Sequence, residues 1–298
     1  VLQMSSDHRF PAGYYRLHGG EQHLFVKIVP FREAARLRAA ERVAAFVCKG
    51  GIQVNCQLPG YPRPAGGDYL LFASPYVEGT FYQGEAQQAA SVGKALAHLH
   101  RILRRCPWRK AIRRRGLARQ RKLRDRLHLI RRGQVDGIPT AALSILEKVD
   151  DHLLERLCRD AQVIHGDLNA GNILFAGHHR RPVFLDFEDT PTAWFSPLTD
   201  LAYLLERLAL CSSSSPTTTA EHLLRAYYAA GGMRFISAAQ LNQILQALAV
   251  RALLLLAEKS ALGRSSTTEE WQKFIILHHA ATQHDPRMTA LIARLRDT

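Results

Sequence analysis

Along the chain, the spacing of apolar positions starts strand-like and turns helical. Residues 13–17 (GYYRL) and 23–29 (HLFVKIV) are short runs rich in aromatic and β-branched residues, parted by the glycine-containing turn 19–22. That pattern predicts a β-hairpin. An Ala-rich stretch over 31–47 holds Glu33 and Glu41 and is followed by Gly50-Gly51, which predicts a helix with a glycine stop. Residues 52–58 and 69–73 (YLLFA) read as two more strands around the loop PGYPRPAGG. Beyond the connection SPYVEG (74–79), Val92, Leu96, Leu99 and Leu103 fall on one face of a helix over 83–103. Further helices are predicted over 141–157, 198–210, 221–230, 238–262 and 269–283. Residues 172–175 and 182–185 read as a hairpin, 191–197 as a loop, and SSSSPTTT (212–219) as a polar linker or helix start. The sum is an α+β chain. Residues 1–75 form a small lobe of antiparallel strands plus one helix, and residues 76–298 a large, mainly helical lobe.

Composition narrows the class. With 47% apolar and 22% charged residues the chain can bury a core, which excludes a disordered protein. Its five cysteines form no CxxC pair, which argues against a disulfide framework or structural zinc site and for a reducing, cytoplasmic setting. The first residues lack the basic-then-apolar pattern of a secretory signal. The most apolar helical stretch, 244–257, is interrupted by Gln246 and Arg251 and falls short of the roughly 20 apolar residues of a membrane span. It reads as a buried helix.

The net charge of +14 is local. Residues 101–132 contain fifteen Lys or Arg and one acid, Asp125; the remaining 25 basic and 25 acidic residues cancel.

Candidate chemistry sits in VIHGDLNAGNILF (163–175) and VFLDFED (183–189). Asp167 and Asn172 keep the five-residue step by which a kinase loop supplies a base and one metal ligand; Asp186-Phe187 keeps the pair that supplies the second ligand, with Glu188 in the usual glycine position. Phosphoryl transfer asks for positioning and charge neutralisation, so these residue types fit it. Asp167 is the candidate base for an attacking hydroxyl, and Asn172 and Asp186 are hard oxygen ligands for Mg²⁺. Lys27, amid Phe25, Val26, Ile28 and Val29, is a charge that is costly to bury unless paired, and is the candidate for holding nucleotide phosphates. A helix glutamate, Glu41 in preference to Glu33, is expected to pair with it. His165 reads as a brace. Glu188 and Asp189 read equally as neighbours of a second metal or as hydrogen-bonded loop residues.

With HGDLNAGNILF, LDFED, YRLHGGEQHLFVKI, GKALAHLHRIL, LTDLAYLL and RAYYAAGG in order, the chain resembles the aminoglycoside phosphotransferase and choline kinase family, the small-molecule branch of the protein-kinase-like fold. That resemblance implies a two-lobed fold, ATP with Mg²⁺, and adenine on the connection, with the Pro75 carbonyl accepting and the Val77 amide donating. It also implies a phosphate-covering loop at residues 5–11 and a bracing role for Asp200. Gly166 replaces the arginine of protein kinases, and only thirteen residues separate Asp186 from Asp200, so a peptide-docking activation segment is not expected. A small hydroxyl acceptor is. Since the basic run opposes polycations, the acceptor is expected to be anionic rather than an aminoglycoside, bound by the surface 113–132 and the C-terminal helices; an aminoglycoside phosphotransferase proper is the alternative. A reading from another class is a nucleotide sensor whose run 101–132 contacts nucleic acid or an anionic membrane.

Overall fold

The computed structural model describes residues 2–4, 13–19, 22–177, 181–210, 215–263, 266–283 and 285–296. The expected phosphate loop at 5–11, the hairpin turn at 20–21, His178-His179 and the start of the serine run lie outside the described residues.

Strands β1 (Leu2–Met4), β2 (Tyr14–Gly19), β3 (Gln22–Pro30), β4 (Arg63–Pro64) and β5 (Tyr69–Pro75) form one antiparallel sheet in the spatial order β1-β2-β3-β5-β4. Its register sets Lys27 opposite Tyr14 on one side and Phe72 on the other. Directly paired residues project to the same face. Lys27 therefore shares a face with Val29, Leu70 and Phe72, which cluster with Ala34 and Leu37 of helix α1 (Ala34–Lys49). The second half of α1, through Ala40, Val43, Ala44 and Val47, joins the core of the large lobe. One helix thus covers the lysine's sheet and anchors it to the other lobe.

Residues 52–58 do not form the predicted strand. They run extended and divide their backbone bonds between lobes: Phe184 N–H donates to Gln53 O at 3.0 Å, and Leu58 N–H donates to Ala73 O at 2.8 Å. Val54 forms an isolated parallel bridge to Phe184. No single partner strand runs alongside long enough to build a ladder.

The large lobe opens with β6 (Gly79–Phe81), α2 (Ala86–Leu103), α3 (Arg109–Arg131) and α4 (Thr140–Lys148). Strands β7 (Gln162–Val163), β8 (Ile173–Ala176), β9 (Arg181–Phe184) and β10 (Trp194–Phe195) follow, with β6-β8-β9 in one sheet and β7-β10 in another. Helices α5 (Pro197–Leu205), α6 (Pro216–Ala229), α7 (Ala238–Ala261), α8 (Thr268–Thr282) and α9 (Pro286–Arg296) complete it. Leu96, Leu99, Val163, Ile164, Leu201 and Leu253 are fully buried at its centre, each such side chain contributing about 1.5–3 kcal/mol.

Most of the basic run forms an amphipathic helix, α3. Ile112, Gly116, Gln120, Leu123, Leu127 and Ile130 line the buried face of α3, and the cations occupy the rest. At Gly116 a Cβ would come within 2.9 Å of Thr192 O, so the missing side chain lets α3 lie against the loop after Asp186. The predicted helix over 141–157 breaks at Val149, because Asp150 diverts the next turn: its Oδ1 accepts from His152 N–H at 2.9 Å and its carbonyl from Leu153 N–H at 3.0 Å. Helix α9, absent from the sequence reading, starts where Asp285 Oδ1 accepts from Arg287 N–H at 2.8 Å. Among the described residues no helix is long and apolar enough to cross a membrane.

Candidate active site

The loop between β7 and β8 is fixed from below by Asp200. Ser196 caps α5, its Oγ accepting from Leu198 N–H at 3.3 Å, and this sets Asp200 in the first turn, 2% exposed. Its carboxylate accepts from His165 N–H at 2.8 Å, Gly166 N–H at 2.9 Å and His100 Nε2 at 3.1 Å. His100 Nδ1 then accepts from the Tyr227 hydroxyl at 2.9 Å, a phenol that burial pushes above its ordinary pKa. Gly166 has φ +91°, and a Cβ there would meet Ala193 Cβ at 2.7 Å. Backbone and space both exclude the arginine of protein kinases. His165 is wholly buried; its Nε2 donates to Leu185 O at 2.9 Å and its Nδ1 accepts from Asp167 N–H at 3.4 Å. Both ring nitrogens are spent tying this loop to the strand before Asp186.

Asn172 Nδ2 donates to Asp167 Oδ2 at 3.1 Å and to the Asp167 carbonyl at 2.8 Å, and Asn169 Nδ2 donates to Asp167 Oδ1 at 3.3 Å. Burial lifts the Asp167 carboxyl above the usual aspartate range, the Asp189 and Asp186 charges add to the lift, and His165 and Asn169 oppose it. A carboxylate held in place with raised proton affinity suits general-base work.

Asp186 stands at φ +56°, in the left-handed region that a non-glycine residue adopts at a local cost. Its Oδ1 accepts from Glu188 N–H at 3.3 Å and lies 3.6 Å from Lys27 Nζ. Burial alone would lower the Lys27 pKa, but the Asp186 and Glu188 carboxylates outweigh it and hold the ammonium above the ordinary lysine value.

The partner of Lys27 differs from the expectation. Neither Glu41 nor Glu33 pairs with it: Glu188 Oε1 does, at 2.8 Å. Glu41 Oε2 instead accepts from Gln57 N–H at 3.2 Å, and burial raises its pKa while the charge of Lys27 lowers it. Position decides this, because Glu188 follows Asp186 by two residues and is carried to the lysine with it. Arg36 of α1, which the sequence reading missed, clamps the same turn. Its Nε donates to Glu188 O at 3.0 Å and its Nη2 to Asp189 Oδ1 at 3.0 Å. An arginine in an Ala-rich helix gives no sequence signal, whereas Glu188 announced itself by standing in a glycine position.

The donor set suits Mg²⁺. Asn172 commits its amide nitrogen to Asp167, and among the described residues its Oδ1 has no hydrogen bond. Asp186 keeps its side chain 38% exposed. These are two hard oxygens, and Mg²⁺ takes few protein ligands beside phosphates and water. At the connection, Pro75 ends β5 opposite Leu24, and Tyr76 N–H donates to His23 O at 2.8 Å. The Val77 amide donates to no described group.

The profile of the phosphotransferase enzyme family matches residues 3–238. Among solved structures, spectinomycin phosphotransferase in complex with ADP and spectinomycin shares the fold at a TM-score of 0.58, with 12% identity over 100% of this chain and 93% of that chain. A choline/ethanolamine kinase family protein from Mesorhizobium loti aligns at 0.57, with 18% identity over 96% of this chain and 92% of that chain. A thermostable mutant of an aminoglycoside phosphotransferase, in ternary complex with ADP and hygromycin B, aligns at 0.58, with 12% identity over 94% and 92%. At such identities the likeness concerns the fold: a small sheet-and-helix lobe on a large helical lobe, as in protein kinases. A search of curated protein sequences gave no match. The family profile covers well over half of the sequence, and the chain belongs to the phosphotransferase enzyme family.

Proposed function

We propose that the protein transfers the γ-phosphoryl group of ATP to a hydroxyl of a small, anionic acceptor. The observation that carries this reading is the convergence of a half-buried, hydrogen-bonded Asp167 with the Lys27–Asp186 pair, supplied by opposite lobes. Asp167 accepts the hydrogen of the acceptor hydroxyl and takes its proton as the new O–P bond forms; the bond to the β–γ bridging oxygen breaks and ADP leaves. Lys27, aimed by Glu188 rather than Glu41, contacts the α- and β-phosphates. Adenine sits at the connection, where the Pro75 carbonyl accepts and the Val77 amide donates. Asn172 and Asp186 are the residues that would hold Mg²⁺, which would offset phosphate charge. The lobes divide after residue 75, so the nucleotide lies between 1–75 and 76–298.

The anionic acceptor is supported by α3, whose Arg113, Arg114 and Arg115 have no carboxylate partner among the described residues. We place the reaction in the cytoplasm, in keeping with the free thiols of Cys48, Cys56, Cys106 and Cys158. The test is ADP formation and ATP affinity on the same samples of wild type and Asp167→Asn. Transfer is expected to fall by about 10²–10⁴-fold while ATP affinity holds. Unchanged turnover in the variant would remove Asp167 from the chemistry.

A further inference from the structure

The apolar stretch of α7 contains one cation. Arg251, itself half-buried, has the buried Ala247, Val250, Leu253 and Leu254 as helix neighbours, where a charge needs a reason. Its guanidinium carbon is 5.2 Å from the centroid of the Phe195 ring, and its Nε is sealed from solvent without a hydrogen-bond partner. It forms no ion pair among the described residues. Glu258, two turns along α7, does not serve it, because Arg119 and Lys122 of α3 hold that carboxylate at 2.5 Å each. Arg251 is within electrostatic reach of Asp189, Asp167, Arg119 and Tyr203.

A second cation shares the neighbourhood. Lys273 of α8, exposed to solvent, has no ion pair among the described residues and is within electrostatic reach of Arg207 and Asp167. Tyr203 lies in the last turn of α5, with the Arg207 guanidinium 5.1 Å from its ring centroid. Burial pushes the Tyr203 hydroxyl up to about 12, so it stays a neutral donor. Arg207 itself is paired with Glu206 at 2.8 Å, in the π-helical turn Glu206–Leu210 that continues α5. Such turns often mark functional sites. Tyr203 of α5, Arg251 of α7 and Lys273 of α8 thus lie within electrostatic reach of the one carboxylate assigned as base.

We propose that Arg251, with Lys273 supplying the second charge, is the receptor for a phosphomonoester on the acceptor, held so that a free hydroxyl of the same molecule meets Asp167. Two cations without internal partners match a dianion. A planar guanidinium grips two phosphate oxygens at once, and its contact with Phe195 fixes its plane. The same pair repels polycationic alcohols, so attraction and rejection come from one feature. The inference rests on the kinase reading of Asp167.

Calorimetric titration with sn-glycerol 3-phosphate and with glycerol, both in the presence of Mg-ADP, tests it without needing turnover. Wild type is expected to bind the phosphate ester and not glycerol. Arg251→Met is expected to weaken that binding by about 10–100-fold, as for loss of a charged hydrogen-bond donor, with Arg251→Lys recovering part and Lys273→Ala losing less. Mg-ADP affinity stays constant throughout. No binding of the ester to wild type, equal binding of ester and glycerol, or wild-type binding by Arg251→Met overturns the inference. If Arg251→Met does not fold by circular dichroism, Arg251→Lys and Lys273→Ala decide the matter: ester binding by both at wild-type strength overturns it. Failure of the kinase reading looks different: no Mg-nucleotide binding and no ADP release with any alcohol, while Arg251-dependent ester binding persists.

Discussion

The two walls of the cleft treat charge in opposite ways. On the donor wall each charge has a protein partner: Lys27 has Glu188 and Asp186, and Arg36 has Asp189 and Glu188. On the proposed acceptor wall Arg251 and Lys273 have no ion-pair partner among the described residues. The difference follows from what each wall is to hold. A nucleotide arrives with its metal, which offsets part of its charge, so the donor wall would exchange partners: phosphate oxygens replace part of a carboxylate's hold on Lys27. The proposed acceptor wall has no partner to exchange, and on this reading it selects for an anion.

The comparison can be broken from either side. Lys27→Ala removes the cation proposed to face the nucleotide phosphates and leaves Asp186 and Glu188 repelling each other. Transfer is expected to fall by about 10²–10³-fold, as when one preorganised donor is lost, read by ADP release at saturating Mg-ATP. A smaller loss would mean that the donor wall does not depend on this pair.

Asp200→Ala attacks the floor that both walls share. The buried N–H groups of His165 and Gly166 lose their acceptor, at about 1–3 kcal/mol for each unsatisfied donor. Urea melts should show that destabilisation; an unchanged midpoint would detach Asp200 from the brace.

Glu188→Gln and Glu41→Gln then sharpen the donor wall. The first is expected to raise the KM for Mg-ATP about tenfold, through loss of one charge-assisted bond, and the second by less. The reverse order would return the role to the helix glutamate.

The smallest effect is on stability. The Asp167 pKa is raised in the folded state, so between the ordinary aspartate value of about 3.9 and the raised one the native protein holds the proton more tightly than the unfolded chain does. Its contribution to stability therefore declines as pH rises through that window. Asp167→Asn removes this decline, and melts of both proteins across the acidic range should show a flatter profile for the variant. Parallel profiles would mean that Asp167 is not strained by burial.

What the sequence made legible was local or motif-borne. The five-residue step from Asp167 to Asn172 becomes a direct hydrogen bond because both lie in one short turn. Lys27 was visible as a charge in an apolar strand. Which carboxylate would reach it was not, since Glu188 lies 161 residues away and competes with a helix whose glutamates have plausible spacing. The segment 52–58 had strand composition, yet composition does not say that its neighbours belong to two lobes. Arg251 was read only as an interruption of an apolar helix; its meaning depends on Phe195, Asp189 and Asp167, which the chain brings together from distant positions.

The contrast between the walls is tested most directly by offering the enzyme two alcohols, a phosphorylated polyol and a polycationic aminoglycoside, at about 0.05 M and about 0.5 M salt. Over that range the screening length falls from above to below roughly 10 Å. Transfer to the phosphorylated polyol, with a KM that climbs steeply with salt while the KM for Mg-ATP moves less, is the predicted result. Best turnover with the aminoglycoside, indifferent to salt, would contradict it.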